Sequence, residues 1–359
     1  MNELNFKKWV LVAVFTGLLV VFGIVVLLGR EQVIGALLSA NPKFLGISII
    51  FQLLATVALT YRWQTIVQEG GFKISDWKLF QISLSSLAIS NLTPSAETGG
   101  EFAKCYFLSK ETRKRTKETL ATIIAEKILD MIFFVMLTVF TLTLFLLMFE
   151  VPALIISLMI LITLVALSMM MLLFYTVTSE KIGLRMSMWF INKFQRLIKR
   201  FRPLKEFEDK FRTDFVEHRN NMKHYLDKPK IWIMTIVLSA VVWTFIVLRT
   251  YFVFLAIGIN LNPILIIALL LISQVVGMLP LLPGGLGLVE TSRIAVISAA
   301  GVVAAGAGAH TVLDRLISFW IMTGIGLLVT YYLAIKNFKK DGSINKLSDE
   351  INKEGGRAK

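Results

Sequence analysis

Residues Pro283 to Arg293 read Pro-Gly-Gly-Leu-Gly-Leu-Val-Glu-Thr-Ser-Arg and interrupt the apolar stretch Pro263–Ala300. A second apolar stretch, Leu79–Leu108, is interrupted by Pro-Ser-Ala-Glu-Thr-Gly-Gly-Glu-Phe-Ala-Lys, which begins at residue 94. Proline and clustered glycine release backbone groups that lipid cannot satisfy, so such breaks persist only against protein or a hydrated cavity. We interpret both stretches as re-entrant hairpins that return to their starting side; the alternative is two tightly paired ordinary spans each. The residues expected to break the helices are Pro94, Gly99, Gly100, Pro283 and Gly287.

Long apolar runs surround these two stretches. About 20 apolar residues are needed to cross a membrane, because a helix rises about 1.5 Å per residue through a hydrocarbon core of about 30 Å. The expected fold is an all-α polytopic membrane protein with six spanning helices plus the two hairpins, forming one integral membrane domain over residues 1–335. The six runs are Val10–Leu28, Phe44–Val67, Leu120–Phe149, Pro152–Val177, Ile231–Ile257 and Thr311–Ile335.

Composition and charge fit this class. The chain has 359 residues, is 56% hydrophobic and carries a formal net charge of +14. A lone cysteine, Cys105, excludes an intrachain disulfide scaffold, and the apolar blocks exclude an ordinary soluble enzyme. Lys and Arg near span ends are retained in the cytoplasm. The predicted topology leaves only Arg30 and Lys43 outside, with both termini and the polar tail 336–359 in the cytoplasm. The positive charge therefore indicates orientation in the cytoplasmic (plasma) membrane, and no nucleic-acid partner is expected.

The segment 180–230 is the one sizeable polar region between spans. Apolar residues recur there at helical spacing, from Phe190 to Phe201, with Lys and Arg between them. This pattern is typical of a basic amphipathic helix on an anionic leaflet. A solvated linker helix packed on the ends of the bundle is the alternative.

The two hairpins belong to an internal duplication. Each has a proline, a glutamate seven positions later and a Lys or Arg three positions after that. Downstream, Glu126-Lys127 and Asp314-Arg315 each form an acid–base dipeptide near the start of a span. The halves, about 79–150 and 263–335, enter from opposite sides in the predicted topology. They are therefore expected to be inverted repeats, which in transporters place the substrate site at the repeat interface.

Charged residues inside the apolar stretches are the candidate site. Each costs about 2.5–3.5 kcal/mol at the centre of a membrane helix, so the set must form ion pairs or line a hydrated cavity. An ion-pair lattice that only holds the halves together is one reading. The other is a binding site, because Gly-Gly tips expose backbone amides beside basic residues, which favours anions; the carboxylates could instead hold amino groups or protons. His310 lies four positions before Asp314 and could relay protons with it, but we favour a helix-end histidine at the membrane interface. The predicted substrate-binding residues are Glu101, Lys104, Glu126, Lys127, Asp130, Gly284, Gly285, Glu290, Arg293, Asp314 and Arg315.

The sequence contains no phosphate-binding loop of the Walker type, no metal-ligand spacing and no nucleophile–base set. We therefore expect no catalytic residues, no metal and no cofactor, and we do not expect an enzyme.

At these motifs the chain resembles the flippase-like family formed by the transmembrane region of lysylphosphatidylglycerol synthases and its stand-alone relatives. The resemblance rests on Asn91–Glu101, on Ala121–Asp130 with its Glu-Lys-x-x-Asp, and on Leu282–Glu290 followed by Asp314-Arg315. It implies paired broken helices and movement of lipids between leaflets. The family often has Arg where Glu97, Lys104 and Lys127 stand, so the lipid headgroup is expected to differ. We expect no counterpart of the synthases' soluble aminoacyl-transfer domain, because only residues 336–359 follow the last predicted span.

The leading hypothesis is a flippase for a polar or phosphate-bearing lipid, of the phospholipid or glycosylated polyprenyl-phosphate type, that crosses between inverted halves. The second hypothesis is a non-transporting accessory protein that binds lipid or recruits a lipid-modifying enzyme through 180–230.

Overall fold

The computed structural model describes residues 30–93, 98–148, 153–178, 225–279 and 282–336, which are helical throughout apart from short connections and contain no β-strand. The predicted span Val10–Leu28, Pro94, most of 180–230 and the tail after residue 336 lie outside this description. The helices are α1 (Arg30–Leu38), α2 (Pro42–Glu69), α3 (Asp76–Leu92), α4 (Thr98–Thr112), α5 (Thr116–Met148), α6 (Ala153–Thr178), α7 (Pro229–Ala256), α8 (Pro263–Gly277), α9 (Leu288–Ala299) and α10 (Ala304–Lys336).

Among the described residues, four helices are long and apolar enough to cross a membrane: Pro42–Glu69, Thr116–Leu147, Pro229–Ala256 and Ala304–Lys336. They overlap four of the predicted spans. A fifth predicted span coincides with α6, which is also apolar.

The last span begins earlier than predicted. The sequence places its start at Thr311, but α10 begins at Ala304 and continues through a π-helical turn at Leu316–Ile321. Small residues of low hydropathy form its first turns, and Ala305, Ala307 and Ala309 are buried there against neighbouring helices. The predicted start of the span was based on apolar side chains, whereas these small residues are buried because neighbouring helices pack against them.

Helices α2 and α7 form the largest helix–helix interface among the described elements. Each has 28 residues and a proline in its first turn, where a missing N–H breaks no helical hydrogen bond. The helices are antiparallel, because contacts join the start of each to the end of the other. The Asn41 amide donates to the Ala256 carbonyl over 2.7 Å, and Lys228 forms an ion pair with Glu69.

The two broken stretches each fold into a helical hairpin: α3 packs against α4, and α8 against α9. A 3₁₀ turn (Pro283–Gly285) lies between α8 and α9. Gly284, Gly285 and Gly287 have φ of 55°, 66° and 86°, a left-handed conformation that side chains with a Cβ rarely adopt. We call the turn between the two helices of a pair the hairpin tip. The end of α3 contacts the 3₁₀ turn of the second hairpin.

Glycine allows close packing around α3. A Cβ added to Gly100 of α4 would lie 2.1 Å from Ser90 Oγ and 2.4 Å from the Ser86 carbonyl oxygen. A Cβ added to Gly326 of α10 would lie 2.4 Å from the Leu84 carbonyl oxygen. Small residues of this kind bring membrane helices into backbone contact. The first hairpin is therefore held tightly, both internally and against α10.

We expect Gly100→Ala to lower the thermal unfolding temperature of the detergent-solubilised protein, because the added methyl group would collide with the Ser86 backbone. Gly46→Ala is the matched control: it lies in helix α2 with no atom within 4 Å of an added Cβ. Alanine favours a helix over glycine by about 1 kcal/mol, so this control is expected to hold or raise the unfolding temperature. Equal unfolding temperatures for the two variants would contradict the packing described here.

Candidate functional site

Asp314 of α10 is fully buried and forms ion pairs with two arginines from two other helices. Arg249 of α7 approaches it with Nε 3.2 Å from Oδ1 and Nη2 3.3 Å from Oδ2. Arg293 of α9 forms an ion pair with Oδ2 through Nη1. The Thr250 hydroxyl donates a further hydrogen bond to Oδ1 over 3.3 Å. One carboxylate thus fixes three helices to one another.

Glu290 and Arg315 hold the second hairpin tip. Glu290 Oε2 accepts a hydrogen bond of 2.6 Å from the Gly287 amide, which caps the start of α9. Its Oε1 forms an ion pair with Arg315 Nε, and Arg315 Nη2 donates to the Gly284 carbonyl oxygen over 3.0 Å. The Arg315 guanidinium also lies 4.3 Å from the centre of the Phe319 ring. Arg249, Glu290, Arg293, Asp314 and Arg315 are called the second cluster below.

The first half contains a matching group, called the first cluster: Arg62, Glu101, Lys104, Glu126, Lys127 and Asp130. Arg62 Nη2 lies 3.2 Å from Glu126 Oε1, and Arg62 Nη1 forms an ion pair with Asp130. Lys104 Nζ lies 2.8 Å from Glu126 Oε2 and 4.7 Å from the centre of the Trp63 ring. The Lys127–Glu101 pair, 3.2 Å apart, is the more exposed part of the cluster.

The two clusters repeat the same contacts at a nearly constant sequence shift. The shift is 187 positions from Arg62 to Arg249, 188 from Glu126 to Asp314 and from Lys127 to Arg315, and 189 from Glu101 to Glu290 and from Lys104 to Arg293. The corresponding ion pairs are Lys104–Glu126 and Arg293–Asp314, Lys127–Glu101 and Arg315–Glu290, and Arg62–Glu126 and Arg249–Asp314.

The interface between α2 and α7 is reciprocal. Arg62 of α2 donates to Ser239 of α7 over 3.1 Å, and Arg249 of α7 donates to Gln52 of α2 over 2.7 Å. The shift of 187 positions relates Gln52 to Ser239 as well as Arg62 to Arg249. Each helix uses the same two equivalent positions, and its arginine meets the polar residue of the opposite helix. Reciprocal contacts of this kind are those of a two-fold axis. The repeat therefore includes α2 and α7, beyond the halves predicted from the sequence.

The two clusters differ in net charge because of one position. The shift of 188 that takes Glu126 to Asp314 takes Asp130 to Ser318. The first cluster, as defined, has three basic and three acidic side chains and is neutral. The second has three arginines and two carboxylates, which leaves one positive charge among its described members.

A cavity of about 240 Å³ lies between the end of α3 and the second hairpin tip. All three arginines of the second cluster line it, and so does Ser318. Neutral polar side chains line it from other elements: Ser90 and Asn91 at the end of α3, and Ser273 and Gln274 of α8. Apolar side chains form the rest of the wall, among them Trp243, Ile246, Leu270, Met278 and Val289. The lining thus combines three arginines with neutral polar and apolar groups.

The structure divides the predicted site residues between these places. Gly284, Arg293 and Arg315 line the cavity, and Glu290 and Asp314 are bonded to its arginines. Gly285 is buried in the 3₁₀ turn. The other five predicted residues, Glu101, Lys104, Glu126, Lys127 and Asp130, form the first cluster and are not among the described residues that line the cavity.

Two arginines that belong to the clusters, Arg62 of α2 and Arg249 of α7, are not among the site residues predicted from the sequence. Arg62 lies near the end of the predicted span Phe44–Val67, beside basic residues expected in the cytoplasm, but it is 4% exposed and bonded to two carboxylates. Arg249 lies inside the predicted span Ile231–Ile257 and was left out of the predicted site. The signal that identifies Arg62 was in the sequence, since the repeat shift carries it onto Arg249.

The prediction that His310 lies at a helix end is wrong. Its side chain is fully buried, and its ring stacks on Phe254 of α7 with 3.6 Å between ring centres. The cause is the earlier start of α10, which places His310 inside the helix and not at its end. Within the described ranges, no group of three or more His, Cys, Asp or Glu side chains is arranged to hold a metal ion.

Apolar helices of spanning length, two broken hairpins and a buried ionic repeat define a polytopic helical membrane protein. Residues 12–326 match the family model described as the lysylphosphatidylglycerol synthase TM region, and the chain belongs to this family. It is 28% identical to a UPF0104 membrane protein of Methanothermobacter thermautotrophicus, over 89% of this chain and 94% of that protein. It is also 28% identical to a UPF0104 membrane protein of Pyrococcus horikoshii, over 90% and 97% of the two chains. A relative in Methanocaldococcus jannaschii is 27% identical over 90% of this chain and 95% of its own length.

We expect Asp314→Asn to destabilise the protein strongly, because it removes the carboxylate between Arg249 and Arg293 and leaves both guanidiniums buried. Breaking a buried ion pair in this way costs about 3–5 kcal/mol. Glu101→Gln is the matched control. It breaks a pair whose side chains are 28% and 37% exposed, where the expected loss is about 1 kcal/mol or less. Thermal unfolding in detergent measures both, and a similar fall in the two variants would contradict the role assigned to Asp314.

Proposed function

We propose that this chain is a lipid translocase of the cytoplasmic membrane that moves a phosphate-bearing lipid between leaflets without altering it chemically. The headgroup binds in the cavity between the end of α3 and the second hairpin tip, and the acyl or prenyl chains stay in the surrounding lipid. The observation that carries the proposal is the cavity of about 240 Å³ lined by three arginines, whose cluster has only two carboxylates.

An anion is the ligand that this charge balance favours. A buried charge without a counterion is costly in a membrane interior. A phosphate monoanion would neutralise the second cluster and could accept paired hydrogen bonds from a guanidinium. The Asn91 side-chain amide donates one N–H to Thr323 and has a second N–H for a headgroup oxygen, whereas the hydroxyls of Ser273 and Ser318 donate to backbone carbonyls. The volume is below the 300–1,000 Å³ typical of pockets that enclose a whole small molecule, so it suits a headgroup and not an entire lipid.

The membrane arrangement that we propose has six spans, two re-entrant hairpins in inverted halves, and both termini in the cytoplasm. The antiparallel pairing of α2 and α7 supports inversion. The short hairpin helices support re-entrance: α9 has 12 residues, or about 18 Å of helix, against a hydrocarbon core of about 30 Å. Leu279 and Leu282, which flank the second tip, are 48% and 41% exposed and would face the lipid chains.

Labelling of single cysteines tests this arrangement. In a Cys105→Ala background we expect a membrane-impermeant maleimide added outside cells to label Asn260→Cys and Val303→Cys, at the two ends of the second hairpin. Lys73→Cys and Arg113→Cys, at the ends of the first hairpin, should be labelled only from the cytoplasmic side. Leu282→Cys at the second tip should resist the cytoplasmic reagent.

Two outcomes would contradict the arrangement. If the two ends of one hairpin were labelled from opposite sides of the membrane, that stretch would cross the membrane and would not return to its starting side. Labelling of Leu282→Cys from the cytoplasm would show that α8 and α9 cross the membrane as ordinary spans.

The transport proposal is tested in proteoliposomes with a fluorescent phosphatidylglycerol whose outer-leaflet population is bleached by dithionite. We expect the wild-type protein to expose inner-leaflet probe and Arg293→Gln to slow this exchange at least tenfold. The substitution removes the excess positive charge but leaves Asp314 paired with Arg249, so the fold should persist. A zwitterionic phosphatidylcholine probe is expected to exchange more slowly than phosphatidylglycerol.

The matched control is Arg115→Gln, which removes an arginine from an exposed surface pair with Glu118. It should exchange phosphatidylglycerol at the wild-type rate. Wild-type exchange by Arg293→Gln would overturn the assignment of the cavity as the headgroup site. No exchange by the wild-type protein above protein-free liposomes would favour an accessory protein that does not transport.

A further inference from the structure

We infer that the first cluster is a second anion site of the same chemistry, which the Asp130 carboxylate occupies in this structure. The inference rests on the proposed function, in which the second cluster binds an anionic headgroup. It adds that the protein holds two equivalent sites, one open and one closed by its own side chain.

The equivalence of the sites is geometric. Arg62 and Lys104 converge on Glu126 as Arg249 and Arg293 converge on Asp314. The arginines lie 20 residues after the first proline of α2 and of α7, respectively, and each is hydrogen-bonded by the opposite helix. The first cluster therefore has the cationic groups of an anion site in the same arrangement.

The Asp130 carboxylate lies where an anion would bind. It forms an ion pair with Arg62, whereas the equivalent residue in the second half, Ser318, is neutral and faces the cavity beside Arg249. Without Asp130 the first cluster would carry the same single positive charge as the second. A carboxylate is thus present in the first cluster, and a serine that lines the cavity stands at the equivalent position of the second.

Two details indicate that the first site could exchange its carboxylate for a ligand. The Asp130 side chain is 32% exposed, against 5% for Arg62 and 3% for Glu126, so it can move away without opening the core. Among the described side chains, the buried Nε of Arg62 is one of the few polar atoms without a hydrogen-bond partner. A tetrahedral phosphate can accept from both Nε and a terminal nitrogen of a guanidinium.

The spacing of the sites suits stepwise movement. Because Arg62 lies opposite Ser239 and Arg249 opposite Gln52, the two sites are ten residues apart along the antiparallel pair, or about 15 Å. This is about half the thickness of the hydrocarbon core. A headgroup bound at each site in turn would cross that half without passing through an uncharged interior.

Exchanging the two inequivalent residues tests the inference directly. The variants are Asp130→Ser, Ser318→Asp and the double exchange, and the probe is dihexanoyl-phosphatidylglycerol added to the full chain in a neutral detergent. Native mass spectrometry counts the bound probe per chain. We expect one molecule for the wild-type protein, two for Asp130→Ser, none for Ser318→Asp and one for the double exchange. Asp130→Glu keeps the carboxylate and should bind one.

Tryptophan fluorescence identifies which site is filled. Trp63 contacts Lys104 in the first cluster, and Trp243 lines the cavity. Binding to the wild-type protein should therefore change the Trp243 signal, which a Trp243→Phe variant removes. Binding to the double exchange should instead change the Trp63 signal, which Trp63→Phe removes.

The outcomes separate this inference from the proposed function. No probe on the wild-type protein would overturn the proposed function and the inference together. One molecule on both the wild type and Asp130→Ser, or none on the double exchange, would overturn the inference alone. A wild-type count of two would also overturn it, because the first site would then not be closed. If inorganic phosphate binds in the same pattern and displaces the lipid, the sites serve free phosphate and the assignment to a lipid headgroup falls.

Discussion

A charge inside an apolar helix bundle must meet its opposite, and this requirement determines how the described part of the chain is assembled. Asp314 can be buried completely because guanidiniums arrive from α7 and α9. Glu290 ties α9 to α10 through Arg315, and Arg62 ties α2 to α5 through Glu126. Helices in lipid gain little from the hydrophobic effect when they associate, so polar contacts and close packing must specify which surfaces meet. Here the ionic pairs supply the specificity, and glycines such as Gly100 and Gly326 supply the close approach.

The two halves of the described chain contain equivalent sets of ion pairs. The reciprocal bonds of Arg62 with Ser239 and of Arg249 with Gln52 relate the halves by a local two-fold axis along the interface of α2 and α7. Equivalent halves would give equivalent sites, and the difference arises at residues 130 and 318. A carboxylate in one half and a hydroxyl in the other convert a symmetric framework into one neutral cluster and one cationic cavity.

The sequence predicted the helical class, the paired motifs and the acid–base dipeptides, because apolar length and local spacing are written directly in the order of residues. It did not predict which charges meet. Lys104 was predicted to bind the same substrate as Arg293 and Arg315. The ion pairs instead form within each half, and Lys104 bonds to Glu126. Arg62 was not predicted as a site residue because it lies close to a run of basic loop residues. Composition cannot distinguish a cytoplasmic arginine from one that is buried in the bundle near a helix end. The start of α10 was missed because small residues are buried by packing and not by their own hydropathy.

The comparison of the two halves bears on whether the buried ions are merely structural. A lattice that only joins helices reaches its lowest electrostatic energy when positive and negative charges balance, and the first cluster achieves this with Asp130. The second cluster could have done the same, since residue 318 faces the same cavity as Arg249. Instead it has serine there and keeps a net charge of +1 among its described members, beside an open volume. An imbalance of this kind destabilises an empty site and stabilises one that contains an anion, so the missing carboxylate favours binding over a purely structural role.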